Sequence, residues 1–121
     1  MTATRPLGLT THVLDTARGC PAAGLRIDVS AVDAGGRARL IKTVRTNADG
    51  RTEPLFAPGE MEAGHYELVF HVGAYFRATG SPVTDPPFLD LVPVRFAAGA
   101  GGHYHVPLLV SPYGYVTYRG S

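Results

Sequence analysis

The chain has 121 residues, 45% of them hydrophobic and 17% charged, with a formal net charge of +1. That length fits one domain spanning residues 1–121, with no room for a second core. No stretch concentrates Lys or Arg, which argues against a nucleic-acid partner, and nothing approaches the roughly 18 apolar residues of a membrane span.

From the N-terminus, the first twelve residues hold no apolar run of signal-peptide length. Cys20 is the only cysteine, which rules out an internal disulfide and suits a reducing compartment. A cytoplasmic location is therefore expected. Alternation with a period of two marks the first strand, Leu7–Val13: Leu7, Leu9 and Val13 share one face, and His12 takes the other. Leu25–Val29 repeats the pattern, with Arg26 and Asp28 on the polar side. Turn chemistry follows at Asp33–Gly36, Asn47–Gly50 and Ala57–Gly59. In His65–Val72, the residues Tyr66, Leu68, Phe70 and Val72 line one face against His65, Glu67 and His71. The one expected helix is short, near Ala74–Thr79, ahead of the proline-rich stretch Pro82–Pro87. Val92, Val94 and Phe96 line one side of a strand at Asp90–Phe96, which a glycine-rich turn at Ala97–Gly102 ends.

In His103–Val110, the apolar face is Tyr104, Val106, Leu108 and Val110, so His103 and His105 point away from the core with Pro107 and Leu109. Pro93 and Pro107 each break a ladder and favour an edge or a local distortion. Seven to eight strands with turns about every ten residues read as an all-β antiparallel sandwich. The apolar run Leu108–Tyr118 would be an aggregation hazard at an open edge, so a homo-oligomer that covers it is expected.

Histidines at i and i+2 of a strand point the same way, and spacing alone fits two solvated side chains as well as a shared site. Adding His12 makes a three-histidine zinc site conceivable, though a nearby arginine would oppose the cation. Arg51 follows the turn formed by Asn47, Asp49 and Gly50, in which Asp49 reads as a turn former rather than an acid catalyst. By itself Arg51 fits a solvated residue. At the end of the chain, Tyr118-Arg-Gly-Ser121 follows an apolar strand that would hold it in place, and Ser121 would add a carboxylate.

Three segments together resemble the 5-hydroxyisourate hydrolases related to transthyretin. They are Leu9-Thr-Thr-His-Val-Leu-Asp15 with Gly19-Cys-Pro-Ala-Ala-Gly24, then Thr46-Asn-Ala-Asp-Gly-Arg51, then His103–Ser121. The histidines and the Tyr-Arg-Gly-Ser ending mark the hydrolase branch rather than transthyretin itself. The resemblance implies a transthyretin (prealbumin)-like β-sandwich, a homotetramer built as a dimer of dimers, and active sites in a channel between dimers. It implies metal-independent hydrolysis of 5-hydroxyisourate to 2-oxo-4-hydroxy-4-carboxy-5-ureidoimidazoline in urate degradation, with no cofactor. It places catalysis on His12, Arg51 and His105, and substrate binding on His12, Arg51, Tyr118, Ser121 and His103. Position 51 matches the motif better than Arg45, and Val116 departs from a position often held by a small hydroxyl residue. His105 is the expected general base, with Arg51 keeping it neutral, and His12 shares that role or donates a proton. The alternative is a non-enzymatic, transthyretin-like carrier of a small ligand. An extracellular immunoglobulin-like module fits less well, because it would call for a disulfide.

Overall fold

Alternating side chains need a second layer to cover their apolar face, and the chain supplies it by folding into two sheets. In the computed structural model, which describes residues 6–99 and 101–121, the elements are β1 (Gly8–Asp15), β2 (Cys20–Pro21), β3 (Arg26–Val32), β4 (Ala38–Arg45), β5 (Gly64–His71), α1 (Val72–Ala78), β6 (Leu91–Ala98), β7 (His103–Ser111) and β8 (Gly114–Thr117). Sheet order is β2-β1-β7-β8 in one layer and β4-β3-β5-β6 in the other. One residue of the expected Ala97–Gly102 turn, Ala100, and the first five residues of the chain lie outside the described residues.

The face assignments agree with burial. Leu9, Val13, Ile27, Val29, Leu68, Phe70, Leu108 and Val110 are fully buried between the layers, and Tyr66, Val94, Tyr104 and Val106 join them. The predicted sandwich is antiparallel throughout, but β1 and β7 run parallel, with Thr10 opposite His105 and His12 opposite Pro107. The other strand pairs are antiparallel. The helix begins at Val72, two residues before the expected start, and takes that residue from the strand pattern. It buries Val72, Tyr75 and Phe76. Tyr75 donates a 2.8 Å hydrogen bond to the fully buried Asp15 carboxylate, whose other oxygen accepts from the amides of Ala17 and Arg18.

Both prolines sit as their missing N–H requires. Pro93 lies on the edge strand β6. Pro107 lies on an interior strand, at the point where the β7–β8 ladder stops after Leu108 opposite Thr117. Pairing resumes only at an isolated bridge between His105 and Gly120.

Candidate active site

The parallel register of β1 and β7 sets the site. Residues Thr10 and His12 of β1 and His103 and His105 of β7 all project from the outer face of one sheet, away from the core. Thr10 and His105 are direct cross-strand partners, and His12 lies one step of two residues further along. His12 and His105 are half-buried and His103 is exposed.

Arg51 arrives from the far side of β1. The Asn47 side chain accepts from the amides of Asp49 (2.9 Å) and Arg51 (3.1 Å), closing the turn. The Gly50 carbonyl then accepts from the Val13 amide at 2.8 Å, and an isolated bridge pairs Arg51 with His12. Gly50 has φ of 73°, and a Cβ there would collide with the Val13 carbonyl oxygen, so no other residue fits without moving the turn. Asp49 acts through its main chain: its carbonyl accepts from His12 Nε2 at 3.1 Å. A carbonyl cannot donate, so neutral His12 carries its proton on Nε2 and its lone pair on Nδ1.

Burial is the largest influence lowering the pKa of both histidines, and the Arg51 guanidinium is second for each. For His105, His12 and His103 add smaller depressions. Both rings are therefore neutral at pH 7, the form a general base requires. Desolvation, which the sequence does not reveal, contributes more than Arg51 to both shifts. Among the described residues, no group of three or more His, Cys, Asp or Glu side chains converges as a metal site would require.

The C-terminal segment closes over His105. The Gly120 amide donates to the His105 carbonyl at 2.7 Å, and a Cβ on Gly120 would lie 2.5 Å from His105 Cδ2. Arg119 stacks over the Tyr104 ring at 4.0 Å, a cation–π contact that holds the segment to the sandwich edge. Tyr118 is 54% exposed, opposite Pro107 in the continued register, and Ser121 is exposed as well. Val116 pairs with Leu109, further from the histidines along β7. Thus His12, Arg51, His103 and His105 meet on one face, and Tyr118 borders it through its register with Pro107. Sequence reading missed Thr10, whose even position shares the face of His12, and Gly120, for which only a contact across the fold gives a reason.

Two neutral histidines and an arginine on the outer face of one sheet define a β-sandwich with an acid–base site. The chain belongs to the HIUase/Transthyretin family, whose model matches residues 9–120. Among curated relatives, 5-hydroxyisourate hydrolase 2 of Rhizobium meliloti (strain 1021) is 59% identical over 115 residues, covering 93% of this chain and 95% of that one. Among solved structures, (S)-allantoin synthase aligns with a TM-score of 0.89 and 45% identity, over 96% of this chain, which spans 44% of that longer protein. The 5-hydroxyisourate hydrolase of Klebsiella pneumoniae aligns with a TM-score of 0.78 and 33% identity, over 94% of this chain and 99% of that one.

Proposed function

We propose that this chain, as one domain, is a 5-hydroxyisourate hydrolase that opens the substrate ring at a cyclic acyl carbon in urate degradation. The carrying observation is the convergence of His12, His105 and Arg51 on one sheet face, with both imidazoles held neutral. His105 takes a proton from the attacking water, which adds to the acyl carbon as the ring C–N bond breaks. The carboxylate and ureido groups of the product are the two ends of that bond. Arg51 aims its planar donors at the oxygen on which negative charge grows. His12, with Nε2–H tied to the Asp49 carbonyl, offers its Nδ1 lone pair to share the base role, and passes a proton to the leaving nitrogen once Nδ1 has taken one from the water. Tyr118, Ser121 and His103 border the substrate. A small-ligand carrier has no use for neutral bases beside a cation.

The acting form is a homotetramer assembled as a dimer of dimers. It is supported by exposed apolar residues along the edge strand β8 and the adjacent turn, Tyr113, Tyr115 and Val116, and by Leu91 on the edge strand β6. Light scattering then gives four times the 12.8 kDa chain mass. No helix among the described residues is long and apolar enough to cross a membrane, and a cytoplasmic location belongs to the same proposal.

The test generates 5-hydroxyisourate in place with urate oxidase and follows its ultraviolet absorbance. Decay no faster than in buffer defeats the hydrolase reading. Arg51→Glu abolishes turnover while the tetramer persists, and near-normal activity removes Arg51 from the site.

A further inference from the structure

The Thr10 hydroxyl lies 2.8 Å from His105 Nδ1 and 2.7 Å from His103 Nε2. A hydroxyl has one proton to give and two lone pairs to offer, so it cannot donate to both rings, and at least one ring donates to it. The role of His105 decides which. A general base keeps its lone pair on the nitrogen that meets the water, and Nδ1 is taken up by Thr10, so that nitrogen is Nε2 and Nδ1 carries the proton. The Thr10 hydroxyl is then free to donate to His103 Nε2.

We propose that Thr10 is a positioning residue of the hydrolytic site, fixing His105 as the Nδ1–H tautomer, and that His103 acts through Thr10 by accepting its hydroxyl proton. The inference rests on the reading of His105 as general base. It changes the part given to His103, from a substrate contact to the outer anchor of a three-residue hydrogen-bond chain. The arrangement is built into the register, because Thr10 is the cross-strand partner of His105 and Gly8 is that of His103. The groups facing this chain are Arg51 and His12 on the His105 side, and Arg119, whose guanidinium donates to the His103 carbonyl at 3.4 Å. No carboxylate is among them, so Thr10 does for His105 what an acidic orienter does in many histidine bases.

The test combines kinetics with histidine tautomers read by nitrogen-15 NMR on the full-length protein. Wild type and Thr10→Ser show His105 protonated at Nδ1. Thr10→Val, equal in size but without the hydroxyl, shifts His105 toward the Nε2–H form. Its kcat falls about 10–100-fold, less than the roughly 10²–10⁴-fold that a general base contributes because the base itself remains, while KM changes little. Thr10→Ser restores kcat to within about threefold of wild type. Wild-type His105 found protonated at Nε2 overturns the proposal, whatever any variant does. So does a Thr10→Val enzyme with normal kcat. His105→Gln separates the two readings. If it is inactive while Thr10→Val turns over normally, the base assignment stands and only the role of Thr10 falls. If His105→Gln retains turnover, the base assignment itself has failed and this inference falls with it.

Discussion

Replacing Gly120 by alanine adds one methyl group and tests how tightly the C-terminal segment holds the proposed base. The Cβ would lie 2.5 Å from His105 Cδ2, 3.3 Å from its Cγ and 3.5 Å from its Cβ. Carbon atoms rest about 3.5–4.0 Å apart, so the overlap is about 1 Å. Gly120 is not among the residues with positive φ, so alanine brings no backbone strain of its own. Two adjustments relieve the clash. The segment lifts and loses its 2.7 Å bond to the His105 carbonyl, or the imidazole swings and loses its 2.8 Å contact with Thr10. Either displaces the base or the wall beside it by roughly 1 Å, which in a positioned site costs about 10²-fold in rate, or about 2.7 kcal/mol of barrier. The assay is kcat/KM for 5-hydroxyisourate made in place by urate oxidase, with the melting temperature measured alongside. The change lies at an edge, so folding loses little. Gly99→Ala is the control, because a Cβ there meets nothing within 4 Å, and its kcat/KM stays at the wild-type value. A Gly120→Ala enzyme within about threefold of wild type would refute the claim that this segment fixes the base.

Burial and Arg51 both lower the pKa values of His12 and His105, so the neutral forms persist below the ordinary histidine value of about 6.5. Activity is therefore full above that value and is lost as pH falls through the lowered pKa. A plot of kcat/KM against pH with its acid limb at or above about 6.5 contradicts this. Arg51→Gln moves the limb of the residual activity upward, but only part of the way, since burial is the larger cause. Tyr75→Phe leaves an oxygen of the buried Asp15 without its 2.8 Å donor and costs about 1–3 kcal/mol in urea unfolding. Burial and Asp15 push the Tyr75 hydroxyl up to about 12, so it stays a donor throughout the working range. Unchanged stability in the phenylalanine variant would show that the bond contributes nothing. Chelator treatment leaves turnover intact, and a loss reversed by added Zn²⁺ would restore a metal reading of the histidines.

The features legible in the sequence are those with a local cause. A period of two depends only on neighbouring residues, so the faces of Leu7–Val13 and His103–Val110 follow from the alternation of apolar and polar side chains. The Asn47–Arg51 turn was legible for the same reason, since Asn and Gly at those offsets satisfy the turn's own amides. Where that turn docks was not. The contact of Gly50 with Val13 joins segments far apart in the chain, and only the close approach of the two backbones explains why glycine is required there. Thr10 carried no signal because threonine is common on half-exposed strand faces. The short β2 strand, two residues beside β1, is below the length at which any periodicity can be read.

The parallel pairing of β1 with β7 was the least legible feature and the one on which the site depends. In an antiparallel arrangement the turn that joins two strands fixes their register, whereas here the partners are separated by most of the chain. Pro107 then opens the other side of β7. Without an N–H at position 107, the β8 ladder stops at Thr117, and the Thr117 hydroxyl bonds the Pro107 carbonyl at 2.8 Å instead. The register does not slip across the gap, because Gly120 still faces His105 as continued pairing requires. Tyr118 and Arg119 are the two residues released from the ladder: Arg119 turns inward over Tyr104, and Tyr118 remains at the rim of the histidine face. A proline that reads in the sequence as a strand defect is the device that frees Tyr118 and Arg119 from the ladder beside His105. Its meaning depends on which strand lies next to it, and alternation within a single strand cannot supply that.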